Sequence, residues 1–353
     1  MMIRSSSILL CMLLLLSACF SGSEESRARP TEVAQSEPGA ELTGRALPGR
    51  LLYIRDKRLW LHQGAEARPV QIGGDGAIHD PAWSPDGRRI AFIQRHESFS
   101  DLYMLDAQSG TTSQVTNNGQ SGGQPRTREY VHQVFWALDP TWSPDGDEII
   151  FLSQEQTATS EGDQPPIYEF PLTLFRYDTN LIGTREPTNA DVLRVEQQNS
   201  DIVGPAWSPD GRRLVYVEAP RGNEPRRVML YDFETEQAAP YPGIPEGAYD
   251  PAWSPDGQRL AFAIAQDGAT DIWVIGSPES SGTAQRYTTL GRARAPAWAP
   301  DGSALAFLNV GENSTDLYVV DLAQQNSDAG PGEAVQITSN TNIDATAGLS
   351  WAD

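Results

Sequence analysis

Short apolar runs separated by turn-forming residues recur along the chain from about residue 50 onward. Typical runs are Ile-Ala-Phe-Ile at residues 90–93, Leu-Tyr-Met-Leu at 102–105 and Leu-Val-Tyr-Val at 214–217. Runs of this length that are rich in β-branched and aromatic residues, and bounded by Gly, Pro, Asp or Ser, predict β-strands rather than helices. The pattern therefore predicts an all-β protein.

An eight-residue motif, Asp-Pro-Ala-Trp-Ser-Pro-Asp-Gly in its commonest form, repeats through this region. Its copies start at Asp80, Asp139, Gly204, Asp250 and Ala295, and a sixth runs from Gly348 to Trp351. Nine residues after the Trp of each full copy, an aromatic residue lies in an apolar run: Phe92, Phe151, Tyr216, Phe262 and Phe307. Pro, Asp and Gly suit successive positions of a tight turn, so each copy predicts two strands joined by that turn.

Further apolar runs after each copy complete a four-stranded unit. Third strands are predicted at residues 102–106, 174–178, 228–232, 272–275 and 317–321, and fourth strands at 114–116, 192–195, 287–290 and 335–338. Antiparallel four-stranded units repeated at intervals of this size predict the blades of a β-propeller.

The two ends of the repeat region complement each other. Residues 51–53, 59–61 and 70–72 form strands two to four of a unit that lacks its first strand, and residues 349–351 form a first strand alone. Joined, they make one blade, which closes a six-bladed ring over residues 50–353 without exposed edges.

The repeat, with its Ile-Ala-Phe-like second strand, resembles the TolB-type propeller family over about residues 50–353. The resemblance implies a six-bladed propeller that acts by binding partner proteins of the bacterial envelope. Related propellers also occur in prolyl-oligopeptidase-type enzymes, where a separate hydrolase domain performs the chemistry.

The N-terminal segment is typical of an export signal. Arg4 precedes a nine-residue apolar run at residues 8–16, which is too short for a membrane-spanning helix. Leu16-Ser-Ala-Cys19 resembles the bacterial lipobox, which implies a signal peptide over residues 1–18 and a lipid on Cys19; ordinary secretion with an idle Cys is the alternative. Residues 19–49, rich in Ser, Glu, Gly and Pro, are then expected to form a disordered tether that holds the propeller outside a bacterial membrane, the outer one if there is one.

Charge limits the kinds of partner. The formal net charge is −21, and the 26 basic residues form no dense cluster. A nucleic-acid partner is therefore not expected, because phosphate binding requires a clustered cationic face. An acidic chain leaves Ca²⁺ possible, but no EF-hand loop is present and no cofactor is predicted.

Catalytic patterns are weak. Gly-Gln-Ser-Gly-Gly at residues 119–123 matches a nucleophile motif, but it lies in a Gly-rich loop instead of a strand-to-helix elbow. The four His residues lack zinc-binding spacing, and both Cys residues lie in the N-terminal segment. The sequence thus predicts a non-enzymatic scaffold for a protein, peptide or envelope polymer; a propeller enzyme or carbohydrate-binding protein that uses a polar channel mouth is the alternative.

Two long insertions, at residues 117–133 and 153–171, are expected on the face opposite the Ser-Pro-Asp-Gly turns. They carry Arg and aromatic residues of the kind enriched at binding hot spots: Arg126, Arg128, Tyr130, Tyr168 and Phe170. The alternative is that they are tolerated surface insertions.

Three carboxylates head the innermost strands. Asp80, Asp139 and Asp250 are expected around the channel mouth, on the same face as the insertions, where they would attract a cation, an amine or a basic peptide. Alternatively, each carboxylate only accepts hydrogen bonds from nearby backbone amides. The Trp residues of the repeat are expected to pack between blades.

Overall fold

Six antiparallel sheets of four strands each make up the fold in the computed structural model of the chain. The structure describes residues 41–119, 135–154, 157–159, 167–169, 172–195, 200–280, 282–322 and 332–353. Within each sheet the strands follow one another in space as they do along the blade, so every blade is an up-and-down meander. The six-bladed propeller predicted from the repeat is therefore confirmed.

Blades 1 to 3 cover the first half of the ring. Blade 1 contains strands Ser350–Ala352, Leu47–Arg55, Arg58–Gly64 and Glu66–Pro69; blade 2 contains Ala77–Trp83, Arg89–Arg95, Ser100–Asp106 and Thr112–Gln114; blade 3 contains Leu138–Trp142, Glu148–Gln154, Leu172–Asp178 and Val192–Leu193. A separate hairpin, Thr157–Thr159 with Ile167–Glu169, extends from the connection between the second and third strands of blade 3.

Blades 4 to 6 complete the ring. Blade 4 contains strands Ser200–Trp207, Arg213–Pro220, Arg227–Asp232 and Gln237–Pro240; blade 5 contains Ala248–Trp253, Arg259–Gln266, Ala269–Gly276 and Gln285–Arg286; blade 6 contains Ala293–Trp298, Ala304–Val310, Thr315–Asp321 and Ala334–Gln336. The described helices are single 3-10 turns at Thr179–Leu181 and Asn189–Asp191. Across the described ranges, no helix is long and apolar enough to cross a membrane.

Ring closure follows the predicted pairing of the two ends. In blade 1 the C-terminal strand pairs antiparallel with Leu47–Arg55, with Leu51 opposite Trp351 and Leu52 opposite Ser350. The indole N–H of Trp351 donates to the Pro48 carbonyl at 2.6 Å. The last strand of the chain is therefore held by Leu47–Arg55, near the start of the folded region.

The folded region begins earlier than residue 50. A two-residue strand, Glu41–Leu42, pairs with Thr338–Ser339, and the long strand of blade 1 starts at Leu47. Residues 41–49 of the expected tether thus belong to the propeller, and the rest of the tether lies outside the described residues.

The outermost strands differ most from prediction. In blade 5 the fourth strand is Gln285–Arg286, just before the predicted residues 287–290, and blade 4 has a fourth strand, Gln237–Pro240, that was not predicted. Most of these residues are exposed. Without a buried face, an outer strand shows little apolar alternation along the sequence.

Aromatic residues of the second strands fill the spaces between blades. Those that follow each Trp by nine residues are at most 1% exposed: Phe92, Phe151, Tyr216, Phe262 and Phe307. The motif Trp residues pack beside them, and those of blades 2, 3, 4 and 6 are buried, in agreement with prediction.

Each Ser-Pro-Asp-Gly turn is stabilised by its own side chains. In blade 2 the Ser84 hydroxyl donates to the Asp86 carboxylate at 2.6 Å and accepts from the Arg89 amide at 2.9 Å. Gly87 has φ of 63°, a region that a residue with a side chain rarely adopts. These contacts explain why the motif keeps Ser, Asp and Gly together.

Arginines at the start of several second strands join neighbouring blades. Arg89 of blade 2 lies 4.6 Å from the ring centroid of Trp142 in blade 3 and donates to the Gly146 carbonyl at 2.7 Å. Arg50 with Trp83 and Arg259 with Trp298 repeat this arrangement. A guanidinium over an indole adds a cation–π attraction to packing between blades.

Removal of the closing strand tests the architecture of the ring. Deletion of residues 347–353 removes the partly buried Trp351 and its strand, and exposes the edge of Leu47–Arg55. We expect the free energy of unfolding to fall by several kcal/mol, which would lower Tm by roughly 10 °C. Deletion of Asp353 alone, which leaves the strand in place, is the matched control. An unchanged Tm after the longer deletion, measured by circular dichroism, would contradict the closure.

Candidate functional site

A central cavity of about 820 Å³ lies inside the ring. Its wall consists mainly of the four motif residues that end at the Trp in the innermost strand of each blade. In five blades the Pro of the following turn also lines the cavity. The wall also extends the other way at four blades: to Ala345 at blade 1, to Val203 and Arg226 at blade 4, to Tyr249 at blade 5 and to Arg294 at blade 6. The cavity therefore extends along the channel mainly towards the Ser-Pro-Asp-Gly turns.

The motif carboxylates stand inside the innermost strands and not at their beginning. Asp80 is the fourth residue of Ala77–Trp83, and Asp139 and Asp250 are likewise within their strands. Each has a left-handed backbone, with φ of 47°, 47° and 52°, and the strand register shifts around Asp80 and Asp250. This is a β-bulge, in which an extra residue redirects a side chain.

The bulge lets each carboxylate reach the next blade. Asp80 Oδ2 accepts from the Asp139 amide at 3.3 Å, Asp139 Oδ2 from the Gly204 amide at 2.9 Å, and Asp250 Oδ2 from the Ala295 amide at 3.0 Å. The carboxylates thus accept hydrogen bonds from backbone amides, but these amides belong to the neighbouring blade and not to a loop beside each Asp. A carboxylate has two oxygens and several lone pairs, so this bond leaves capacity for a ligand.

Burial and mutual repulsion raise the pKa of two of these acids. The pKa of Asp80 lies well above its ordinary value because burial disfavours its charge and Asp139 repels it. The pKa of Asp139 is raised by burial and by the charge of Asp250. A nearby positive group would therefore favour the charged forms of both acids.

Asp250 differs from the other two because it is paired with an arginine. Arg294 donates from Nε to Asp250 Oδ2 at 3.2 Å, and its guanidinium lies 5.6 Å from the ring centroid of Tyr249. Arg226 lies 5.9 Å from the same centroid. The three carboxylates therefore do not form one uniform acidic mouth. Blades 2 and 3 present acids, whereas Asp250 of blade 5 lies between the arginines of blades 4 and 6.

Sequence reasoning missed Arg226, Tyr249 and Arg294. Tyr249 and Arg294 come directly before the bulge positions of blades 5 and 6. Their position next to the repeated motif could have indicated that they lie near the channel. Arg226 lies on the connection before the third strand of blade 4, outside the repeated motif, where no sequence signal points to the channel.

The insertion face is only partly described. Arg126, Arg128, Tyr130 and Phe170 lie outside the described residues, and Tyr168 is described only as part of the strand Ile167–Glu169. A second cavity of about 200 Å³ is lined by residues where both insertions begin, among them Asn118 and Gln154. The described starts of the two insertions therefore lie close together, and the binding residues assigned to the insertions stay predictions.

The remaining chemical candidates stay apart. Ser121 lies outside the described residues, and His62 is buried, which lowers its pKa. His79 Nδ1 lies 3.6 Å from Asp344 Oδ2. In the described part of the chain, no three His, Cys, Asp or Glu side chains are grouped so as to hold a metal ion.

Comparisons with known proteins agree with this fold. The family model described as "TolB beta propeller domain" matches residues 187–291, and that of the dipeptidyl peptidase IV N-terminal region matches residues 51–169. TolB from Acinetobacter baumannii is similar with a TM-score of 0.59 and 18% identity, over 86% of this chain and 66% of that one. The putative TolB from Agrobacterium tumefaciens is similar with a TM-score of 0.54 and 17% identity, over 84% and 90%.

The chain is a six-bladed β-propeller that is similar to TolB propellers. A curated relative, the uncharacterized peptidase YuxL of Bacillus subtilis, is 29% identical over 193 residues, which is 49% of this chain and 27% of the relative. The TolB-like propeller thus spans about a quarter of that relative's length. The structural likenesses, all below 25% identity, show the fold alone.

The raised pKa of Asp80 predicts how stability depends on pH. Asp80→Asn keeps an oxygen that accepts from the Asp139 amide but cannot ionise. In wild type, stability declines as pH rises from the ordinary carboxyl pKa through the raised one, because ionisation is costly in the fold. We expect Asp80→Asn to melt above wild type at pH 7.5, with the difference vanishing near pH 4.

Asp86→Asn is the matched control of opposite sign. The Ser84 hydroxyl lowers the pKa of Asp86, so its charged form stabilises the fold above the ordinary carboxyl pKa. This variant should melt below wild type at pH 7.5 and approach it in acid. If Asp80→Asn also melted below wild type at pH 7.5 in the same scans, the electrostatic description of the channel would be wrong.

Proposed function

We propose that the TolB-like propeller is a non-enzymatic, lipid-anchored binding protein of the bacterial envelope, and that it receives a peptide segment of a protein partner in its central channel. The observation that carries the proposal is the cavity of about 820 Å³, which has charged side chains of both signs in its wall. Ligand pockets in proteins are concave sites of roughly 300–1,000 Å³ with a few polar groups on a largely apolar lining.

The composition of the wall supports a peptide as ligand. Trp and Pro residues of the motif supply rigid apolar surface around the channel, and Asp80 and Asp139 supply acceptors on one side. Basic side chains of a peptide would relieve the repulsion that raises the pKa of these acids. A segment with Lys or Arg therefore fits blades 2 and 3.

A peptidase is the second candidate. The match of residues 51–169 to the dipeptidyl peptidase IV N-terminal region, and the relative named as a peptidase, favour it. A carbohydrate-binding role is the remaining alternative that the polar channel allows. In the binding hypothesis the bound segment leaves the channel intact, whereas a peptidase would cleave it.

A peptide selection tests the binding role. Peptides of 12 residues with free carboxyl termini, displayed on phage, are selected on the full chain in detergent, and binding of the synthetic peptides is measured by fluorescence anisotropy. Asp80→Asn combined with Asp139→Asn should weaken binding of selected basic peptides about tenfold and flatten its salt dependence, because steering charges are lost. Recovered peptides should be intact by mass spectrometry.

The control removes the same number of negative charges at positions outside the channel. Glu246→Gln combined with Glu333→Gln removes two exposed carboxylates and should leave affinity within about twofold, as rim charges contribute little to affinity. Selection of no peptide, or of peptides indifferent to the channel variants, would contradict the proposed function. Cleaved peptides would support the peptidase instead.

The anchor is tested separately. If Cys19 carries the lipid, Cys19→Ser should abolish incorporation of radiolabelled palmitate and leave the unprocessed precursor. Cys11→Ser, within the apolar run of the signal, is the matched control and should be labelled as wild type is. Equal labelling of the Cys19 variant would show that the lipobox interpretation is wrong.

A further inference from the structure

Two arginines share one aromatic ring on the wall opposite the acids. The guanidinium carbons of Arg226 and Arg294 lie 5.9 and 5.6 Å from the centroid of Tyr249, within the range of cation–π attraction. Arg294 is paired with Asp250, whereas no carboxylate of the described residues pairs with Arg226. Within the described part of the chain, Arg226 thus contacts the Tyr249 ring but has no carboxylate partner.

A glycine leaves space and a backbone donor beside this pair. In blades 3, 4 and 6 the amide of the bulge residue donates to an Asp carboxylate of the preceding blade. The bulge residue of blade 4 is Gly204, which has no carboxylate, so the Asp250 amide in blade 5 lacks this acceptor. A Cβ at Gly204 would meet only Pro251 Cδ, at 3.8 Å. The space that an Asp fills in blades 2, 3 and 5 is thus open at blade 4.

We propose that Arg226, Arg294 and the Asp250 amide form a carboxylate-binding site in the channel wall, which receives an acidic side chain or the C-terminal carboxylate of the bound peptide. Guanidinium groups suit this role because their planar donors match the two oxygens of a carboxylate. The inference rests on the proposed function, since it specifies the chemistry of the peptide that the channel takes.

The site gives the channel a direction. Asp80 and Asp139 favour a positive group at blades 2 and 3, and the guanidinium of Arg226 favours a negative group at blades 4 to 6. A ligand with both charges can satisfy both walls in one orientation only, whereas a uniformly basic segment would place a cation against Arg226. The net charge of the chain therefore does not describe the ligand that its channel selects.

The test is a thermodynamic cycle on the selected peptides. Each peptide is made with its Asp or Glu residues changed to Asn or Gln, or with its C-terminus amidated, and its dissociation constant is measured with wild type and Arg226→Gln. Neutralising the bound carboxylate should weaken binding to wild type about tenfold and to Arg226→Gln less than about twofold, because the partners are coupled. The modification that shows coupling identifies the source of the carboxylate.

Two controls separate this site from general charge effects. Arg88→Gln removes an exposed arginine near a Ser-Pro-Asp-Gly turn and should keep the full tenfold difference. Gly204→Asp adds a carboxylate next to the arginines and should abolish the preference for a peptide carboxylate. Gly348→Asp adds the same residue at the corresponding motif position of blade 1, where a Cβ meets nothing within 4 Å, and should preserve that preference.

Gly204→Asp is expected to fold, because Asp already occupies left-handed bulge positions of similar φ in blades 2, 3 and 5. If selected peptides bind in the channel but no carboxylate shows coupling to Arg226, the inference is wrong and the proposed function stands. If no peptide binds in the channel, both are wrong. Equal effects of Gly204→Asp and Gly348→Asp would also overturn the site.

Discussion

A left-handed residue at one position of the repeated motif is the constraint on which the rest of this propeller depends. It lies within the innermost strand at residues 80, 139, 204, 250 and 295, and just before that strand at residue 348. The bulge interrupts the pairing with the second strand, and it turns the side chain towards the next blade and not across the sheet. Where that side chain is a carboxylate, the blade gains a hydrogen bond to its neighbour at the wall of the channel. Packing of the motif Trp residues and the arginines over them reinforces the same junctions between blades.

The same position determines the chemistry of the channel. An Asp there places a charge in a poorly solvated wall, and the raised pKa of Asp80 and Asp139 expresses the cost of that placement. A Gly there, as at residue 204, leaves a backbone donor and space. Because the six blades do not carry the same residue, a fold of near-sixfold repetition encloses a channel with an acidic wall and an arginine wall. Ligand selectivity in this account arises from departures from the repeat, and stability arises from the repeat itself.

The fold was predictable from sequence because its determinants recur. Trp, the Pro-Asp-Gly turn and the buried aromatic nine residues later repeat in register, and the two half-blades at the ends complement each other. The outer strands were less predictable, since strands such as Gln237–Pro240 bury little and leave no apolar pattern. For the site, sequence indicated Asp80, Asp139 and Asp250 but not their bulge, because positive φ is usually signalled by Gly or Asn. The pairing of Asp250 with Arg294 joins residues of different blades, a relation that only the ring geometry defines.

The carboxylate at the bulge both joins neighbouring blades and contributes charge to the channel wall. Asp139 allows these two roles to be separated. Asp139→Asn keeps an acceptor for the Gly204 amide but loses the charge, whereas Asp139→Ala loses both; Ala is compatible with the backbone, as Ala295 shows. Tm and affinity for a selected basic peptide are measured for both variants in the same buffer. The account predicts that the Asn variant melts at or above the wild-type temperature but binds more weakly, and that the Ala variant is impaired in both. Equal melting temperatures for the two variants, or undiminished binding by Asp139→Asn, would contradict it.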